Sequence, residues 1–251
     1  MKSDSNSIPK FPQQRKARLA DVESQMCTLD LLCFRGTDVA SRAVQLGQQV
    51  VVGRGEISHV GLVLRPEDMG KLGNHLELGS VYVMESTLLA KSSAPDAITK
   101  KQIFGVCIRR LADVIDTYEG EVCWAPLIRN PFNFASTSFM NWNVIDRRHA
   151  LRKKMERECL KYHRRAYDKS LWPLVAAALP CLRSTRNLAE SLYPDLAQRV
   201  FCSELVARIY QRFRVIGTAF DPRDVLPMDL LGYDKDGLKC LVSELVKLTN
   251  G

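Results

Sequence analysis

A change of hydrophobic period near residue 141 constrains this chain most. Before it, apolar runs of strand length recur at residues 28–34 (TLDLLCF), 58–64 (SHVGLVL), 81–86 (VYVMES), 103–109 (IFGVCIR) and 121–128 (EVCWAPLI). Each is short, β-branched or aromatic, and bounded by Gly, Pro or polar residues, which predicts strands. The polar stretch 66–79 between the second and third runs reads as a hairpin connection. One helix interrupts the series. Thr37 can cap it, and Val39, Ala43, Leu46 and Val50 share one face. After residue 141 the period becomes helical. Leu151, Met155, Glu158 and Tyr162 fall on one side of a basic helix, and Cys202, Leu205, Val206, Ile209 and Phe213 form the stripe of another. Residues 172–182 and 238–248 are further helix candidates. Strands first and helices after predict an α+β fold in one domain, residues 26–251, preceded by a mobile basic tail over 1–25.

Composition supports a globular chain. Of 251 residues, 46% are hydrophobic and 25% charged, which excludes a disordered or collagen-like protein. The net charge of +8 is local. Residues 1–20 carry a net +4 and residues 141–170 a net +6, so the remaining body is slightly acidic. A nucleic-acid binder is more often basic throughout, so nucleic acid is not the expected partner. The helix over 147–165 has two readings: a solvated face, or a surface that grips the phosphates of lipid, as on an anionic membrane, or of nucleic acid.

The eight cysteines contain no CxxC pair, and His75, His149 and His163 lack ligand spacing, so no metal site is expected. No cofactor motif is present: Gly53-Arg54-Gly55 is a fragment of a phosphate loop without GKS or GKT. The first residues lack the apolar core of a signal peptide, so a cytoplasmic setting with reduced thiols is expected, peripheral to a membrane if the basic helix binds one. The run 171–182 holds Pro173 and Pro180 and is too short to span a bilayer.

Three residues could carry chemistry. Cys202 falls in the first turn of its helix, where backbone N–H groups and the helix dipole stabilise a thiolate; it could equally be a small buried apolar residue. His59 lies within a strand, on one face with Gly61 and Val63, either as a satisfied core residue or as a base with space beside it. Glu85 is the only charge in its run. It either pairs with a neighbouring group or reaches solvent at the strand end. Together they supply a nucleophile, a base and an orienting group, and such sets assemble in any chain order.

The segments LDLLCFRGT, SHVGLVL, VYVMES and FCSELVARIY, in this order, resemble the circularly permuted branch of the NlpC-type papain-like superfamily. That branch includes bacterial amidase-like lipoproteins, poxviral members and lecithin–retinol acyltransferase-like proteins. KYHRRAYD and the Pro227–Asp229–Leu230 piece are similar to stretches flanking the nucleophile there. The resemblance spans roughly residues 28–231. It implies a permuted papain-like fold, with a central antiparallel, small barrel-like sheet packed on helices. It implies Cys202 as nucleophile, His59 as base and Glu85 as third member, with Ser58, Tyr167 and Asp30 as pocket residues. The implied activity is a cofactor-free cysteine hydrolase acting on an amide through a thioester. The same chemistry on an ester, or with an acceptor other than water, gives a lipid acyltransferase or thioesterase. A non-catalytic module that binds through the basic helix is the reading from a different class.

Overall fold

The computed structural model describes residues 14–37, 39–52, 55–87, 94–133, 142–165, 200–232 and 241–250. Its elements in chain order are β1 (Gln14–Arg18), α1 (Leu19–Val22), β2 (Leu31–Gly36), α2 (Val39–Val52), β3 (His59–Leu64), β4 (Tyr82–Thr87), β5 (Gly105–Arg110), α3 (Leu111–Thr117), β6 (Gly120–Ala125), α4 (Trp142–Tyr162), α5 (Cys202–Arg212) and β7 (Leu245–Thr249). The seven strands form one sheet in the order β1-β7-β6-β2-β3-β4-β5. The helix-bearing α+β class is as expected.

Both faces of the sheet are covered, which explains why the central strands read as near-continuous apolar runs. Leu31 and Leu32 of β2 point to opposite faces, and both are fully buried. On one face Leu31, Leu62, Met84 and Ile108 pack with Met155, Cys159 and Tyr162 of α4 and with Leu205, Val206 and Ile209 of α5. On the other face Leu32, Phe34, Val63, Val83 and Trp124 meet Leu19 and Val22 of α1 and Leu111 and Val114 of α3. The stripe expected on α5 is the one buried. The Tyr210 hydroxyl also donates to Leu29 O at 3.0 Å, pinning that helix to the entry of β2.

Several expectations need correction. The sheet is mixed and open, not an antiparallel barrel, because β1 pairs parallel to β7 while the remaining neighbours are antiparallel. Residues 14–25, expected within a mobile tail, form β1, α1 and a 3-10 turn; residues 1–13 lie outside the described residues. The helix expected over 238–248 is instead strand β7, since Leu245, Val246 and Leu248 fill the slot between β6 and β1 with both faces buried. On α2, Leu46 is 66% exposed and Gln48 is turned inward at 2%. The polar residue wins because it satisfies backbone: Gln48 donates to Ile57 O at 2.6 Å and accepts from Met228 N at 3.0 Å. The side chains of Val39, Ala43 and Val50, and the whole of 172–182, lie outside the described residues. Among the described residues no helix is long and apolar enough to cross a membrane.

The last turn of α4 is fastened to β5. Arg164 N donates to Val106 O and Val106 N to Arg165 O, both at 2.8 Å, so the chain leaving the helix pairs with the strand. His163 Nε2 lies 2.9 Å from Asp96 Oδ2. Asp96 also accepts from the amides of Ile98, Thr99 and Ile108. Burial by itself raises the Asp96 carboxyl, but the bonds from His163 and from the Ile108 and Thr99 amides outweigh it and hold the group at about 2. A depressed carboxyl contributes stability above its ordinary value of 3.8 that is lost as pH falls through about 2. Asp96→Asn is therefore expected to destabilise the protein at neutral pH by about 1–3 kcal/mol. Denaturant titrations should show the gap to wild type closing as pH falls from about 4 toward 2.

Candidate active site

The site assembles where β3 begins and α5 starts. Ser58, just before β3, accepts from Gly36 N at 3.0 Å and donates to Phe34 O at 3.1 Å. Its own amide donates to Phe34 O at 2.9 Å. These bonds lock the first residue of β3, His59, against the end of β2. The Phe34 ring packs on the imidazole, centroids 5.0 Å apart, leaving the His59 side chain 15% exposed. Ser58 was expected to face a pocket; its described bonds all run to β2, so here it anchors the His59 backbone.

Glu85 comes from the neighbouring strand. Gly61 lies opposite Glu85 in the β3–β4 ladder, which puts His59 one diagonal step away on the same face. Gly61 is needed for the close fit. A Cβ there would sit 2.7 Å from Val83 Cγ2, 3.1 Å from Met84 O and 3.2 Å from Glu85 Cβ. The space noted beside His59 in the sequence is thus taken by β4 itself. Glu85 Oε2 lies 2.5 Å from His59 Nε2. The carboxylate is 2% exposed, so it sits in the protein interior and does not reach solvent.

The other carboxylate oxygen has a partner that sequence reasoning missed. Arg109 Nη2 lies 2.5 Å from Glu85 Oε1, and the Arg109 side chain is 5% exposed. In the β4–β5 ladder Glu85 faces Cys107 and Val83 faces Arg109, so the arginine is diagonal to Glu85 on the side away from His59. The signal was legible in VCIRR: alternation puts a lone cation on the face of Cys107 within an apolar strand.

Cys202 is the first residue of α5. Its approach is held by β4, whose Ser86 hydroxyl donates to Val200 O at 2.5 Å. The Cys202 sulfur lies beside the His59 ring, close enough to act on its charge. Nε2 being taken by Glu85, Nδ1 is the nitrogen left for sulfur. Phe201 occupies the N-cap position and makes no side-chain cap bond, so the capping residue leaves the amide end of the helix beside Cys202 uncovered.

The electrostatics favour a charged imidazole. Burial opposes a charged imidazole, but the Cys202 sulfur and the Glu85 carboxylate together lift His59 from 6.5 to about 10. Burial likewise opposes ionised Glu85, and Arg109 first, then His59, hold it below its ordinary value. At the other shifted thiols burial outweighs whatever cation lies nearby. Burial pushes Cys27 and Cys123 to about 11 and Cys107 to about 12, and raises Cys33 and Cys159 as well.

Asp30 is not part of this site. It precedes β2 at the end remote from His59, about four strand residues or 13 Å away. There it accepts from Cys27 N, Trp124 Nε1, Leu127 N and Asn130 Nδ2, at 3.0, 3.0, 3.1 and 2.7 Å. It was expected in a pocket and instead ties β2 to β6. Tyr167 lies outside the described residues. Of the basic helix, Arg148 and Arg152 lean toward buried Asp68 at 3.9 Å each, so those two compensate an internal acid. Among the described residues no group of three or more His, Cys, Asp or Glu is arranged to hold a metal ion.

No protein-family model matches the chain, and no curated protein matches it. Among solved structures it is similar to the metalloprotein YiiX from Escherichia coli O157:H7, a DUF1105 protein. The two share 16% identity over 89% of each chain, with a TM-score of 0.39.

The Gly61 contacts give a direct test of the packing. Gly61→Ala is expected to cost about 1–3 kcal/mol, because β3 and β4 must separate against backbone as well as side chain. Chemical denaturation measures this, and an unchanged midpoint would contradict the close approach.

Proposed function

We propose that this chain is a thiol-dependent hydrolase of the permuted papain-like type. It cleaves an amide bond, peptide or isopeptide-like, through Cys202, His59 and Glu85. The observation that carries the reading is the placement of His59 between the Cys202 sulfur and the Glu85 carboxylate. A nucleophile, a base and a group that orients the base are neighbours, and the base is hydrogen-bonded to its orienting group.

The chemistry follows from that arrangement. With His59 protonated, Cys202 attacks as thiolate, stabilised by imidazolium and by the amide end of α5. The sulfur forms a bond to the carbonyl carbon, and the carbonyl oxygen takes the negative charge. Uncapped backbone N–H groups at the start of α5 would receive that oxyanion. As the intermediate collapses, the C–N bond breaks and His59 gives its proton to the departing amine, leaving a thioester. Neutral His59 then takes a proton from water, which attacks the thioester. The carboxylic acid departs, and thiolate and imidazolium are restored. Glu85 stays ionised throughout and stabilises the imidazolium. No metal or cofactor enters these steps, and a cytosolic compartment would keep the thiol reduced.

A second reading uses the same steps with a lipid ester or a non-aqueous acceptor, giving a thioesterase or acyltransferase. It is favoured by the surface near the site. Val106, to which Arg164 and Arg165 are bonded, lies opposite Ser86, which holds Val200. Leu160 and Phe104 are 60% and 52% exposed at the same end. Basic and apolar groups together suit an anionic membrane face. Co-sedimentation with anionic vesicles, titrated with salt, separates the two readings.

Thiol reactivity tests the site without knowledge of the substrate. At about pH 6 an ordinary thiol is almost wholly protonated and alkylates slowly. Cys202 is expected to react with iodoacetamide well before the other cysteines, as read by mass spectrometry of each peptide. His59→Ala should slow it by about tenfold or more at that pH. Because His59 holds its proton up to about 10, the ion pair should persist through neutral pH and be lost only as pH rises through that value. Equal labelling of all cysteines would make the chain a binding module and end the catalytic reading.

A further inference from the structure

We propose that Arg109 is a positioning residue of this site: it keeps Glu85 ionised and aimed at His59, and so keeps His59 in the protonated form that pairs with Cys202. The proposal rests on the hydrolase reading above and extends it to a fourth element, β5.

The geometry carries the argument. A carboxylate with so little exposure cannot rely on water for its charge. Two carboxylate oxygens are available, and each faces one nitrogen base: Oε2 meets His59 Nε2 and Oε1 meets Arg109 Nη2. A carboxyl and an imidazole alone at 2.5 Å could hold their shared proton on either partner. A guanidinium on the far oxygen removes that freedom, because it does not release its proton and it repays ionised Glu85 only. The proton then stays on His59.

Sheet register makes the arrangement rigid. His59, Glu85 and Arg109 sit on successive strands β3, β4 and β5, on the same face, each one diagonal step from the next. Arg109 has little else to do. Besides its ion pair with Glu85 it is near only the Cys107 sulfur among the groups that bear on its charge, and its Nε and the Glu85 Oε1 it faces are both buried without a hydrogen bond. A buried pair of this kind is often no more stabilising than apolar residues of similar volume, so stability alone is a weak reason for it. Among the described residues the titratable groups that face the pair are few. They are His59 from β3, Cys202 from α5, and Cys107 from β5 with Asp96 close to it. Among these, Arg109 is the main cation holding Glu85 charged.

Two readouts on the full chain test this. The first is the His59 titration followed by NMR of the imidazole. The second is the pH profile of Cys202 alkylation. Arg109→Ala should lower the His59 midpoint from about 10 by about one pH unit or more, and move the alkaline inflection of the alkylation profile down with it, leaving rates near pH 6 little changed. Arg109→Lys keeps the charge with fewer donors and should restore most of both. Arg109→Met fills the volume without charge and carries the same test where the alanine variant does not fold. A purely structural arginine would lower the denaturation midpoint and leave both pH profiles in place, which would overturn the proposal. The two readings fail separately. Reactive Cys202 with an unmoved His59 midpoint sinks the Arg109 proposal and leaves the hydrolase. Unreactive Cys202 with a lowered midpoint sinks the hydrolase and leaves Arg109 as the group that sets the His59 proton.

Discussion

A carboxylate buried in the middle of a sheet must be given cations, and much of this structure follows from meeting that need for Glu85. Its strand lies between β3 and β5, so the partners come from both sides: His59 from one and Arg109 from the other. The ladder fixes both at diagonal positions, within reach of a side chain of this length. Gly61 lets β3 come close enough for the His59 contact. Remove any of these and a nearly unexposed charge loses compensation that the solvent cannot replace.

Adjacent residues of β4 serve opposite faces. Glu85 faces the side of Phe34 and Val83, while Ser86 turns to the other side and holds Val200, two residues before α5. One strand therefore sets the acid and also places the helix start that carries Cys202. A second histidine–carboxylate pair shows that residue types alone do not make such a site. Asp96 is saturated by three amides and the Thr99 hydroxyl, and its bond to His163 closes the junction of α4 with β5. No described thiol hydrogen-bonds that histidine. What differs at His59 is the sulfur at a helix start.

The parts of this molecule legible in sequence are those whose signal is local. Alternation located β2 to β6 to within a few residues, and the apolar stripe of Cys202, Leu205, Val206 and Ile209 located α5. What escaped depends on partners distant in the chain. Nothing within residues 14–18 announces a strand, because β1 exists only against β7, more than two hundred residues away. Residues 245–249 fit a helical face as well as a strand until the slot beside β6 decides. Gln48 and Leu46 exchanged expected sides because two backbone groups needed the amide. Asp30 looked like a pocket residue by its place in the resemblance, and only the position of Trp124 and Asn130 shows it to be an anchor. Arg109 is intermediate. Its parity was readable, but its use required knowing that β5 pairs with β4.

The cysteines show how the fold concentrates reactivity at one place. Burial alone drives a thiol away from ionisation, and Cys33, Cys107, Cys123 and Cys159 are buried in sheet or helix faces with that effect. Cys107 even contacts Arg109 and is still pushed to about 12, because Glu85 lies opposite it and burial dominates. A cation nearby is therefore not enough. Cys202 is as buried as these, at 4% exposure, yet it stands at the amide end of a helix and against an imidazole whose charge is secured from behind by two further residues. The difference between a core thiol and a candidate nucleophile lies in that chain of support, which runs from sulfur through His59 and Glu85 to Arg109.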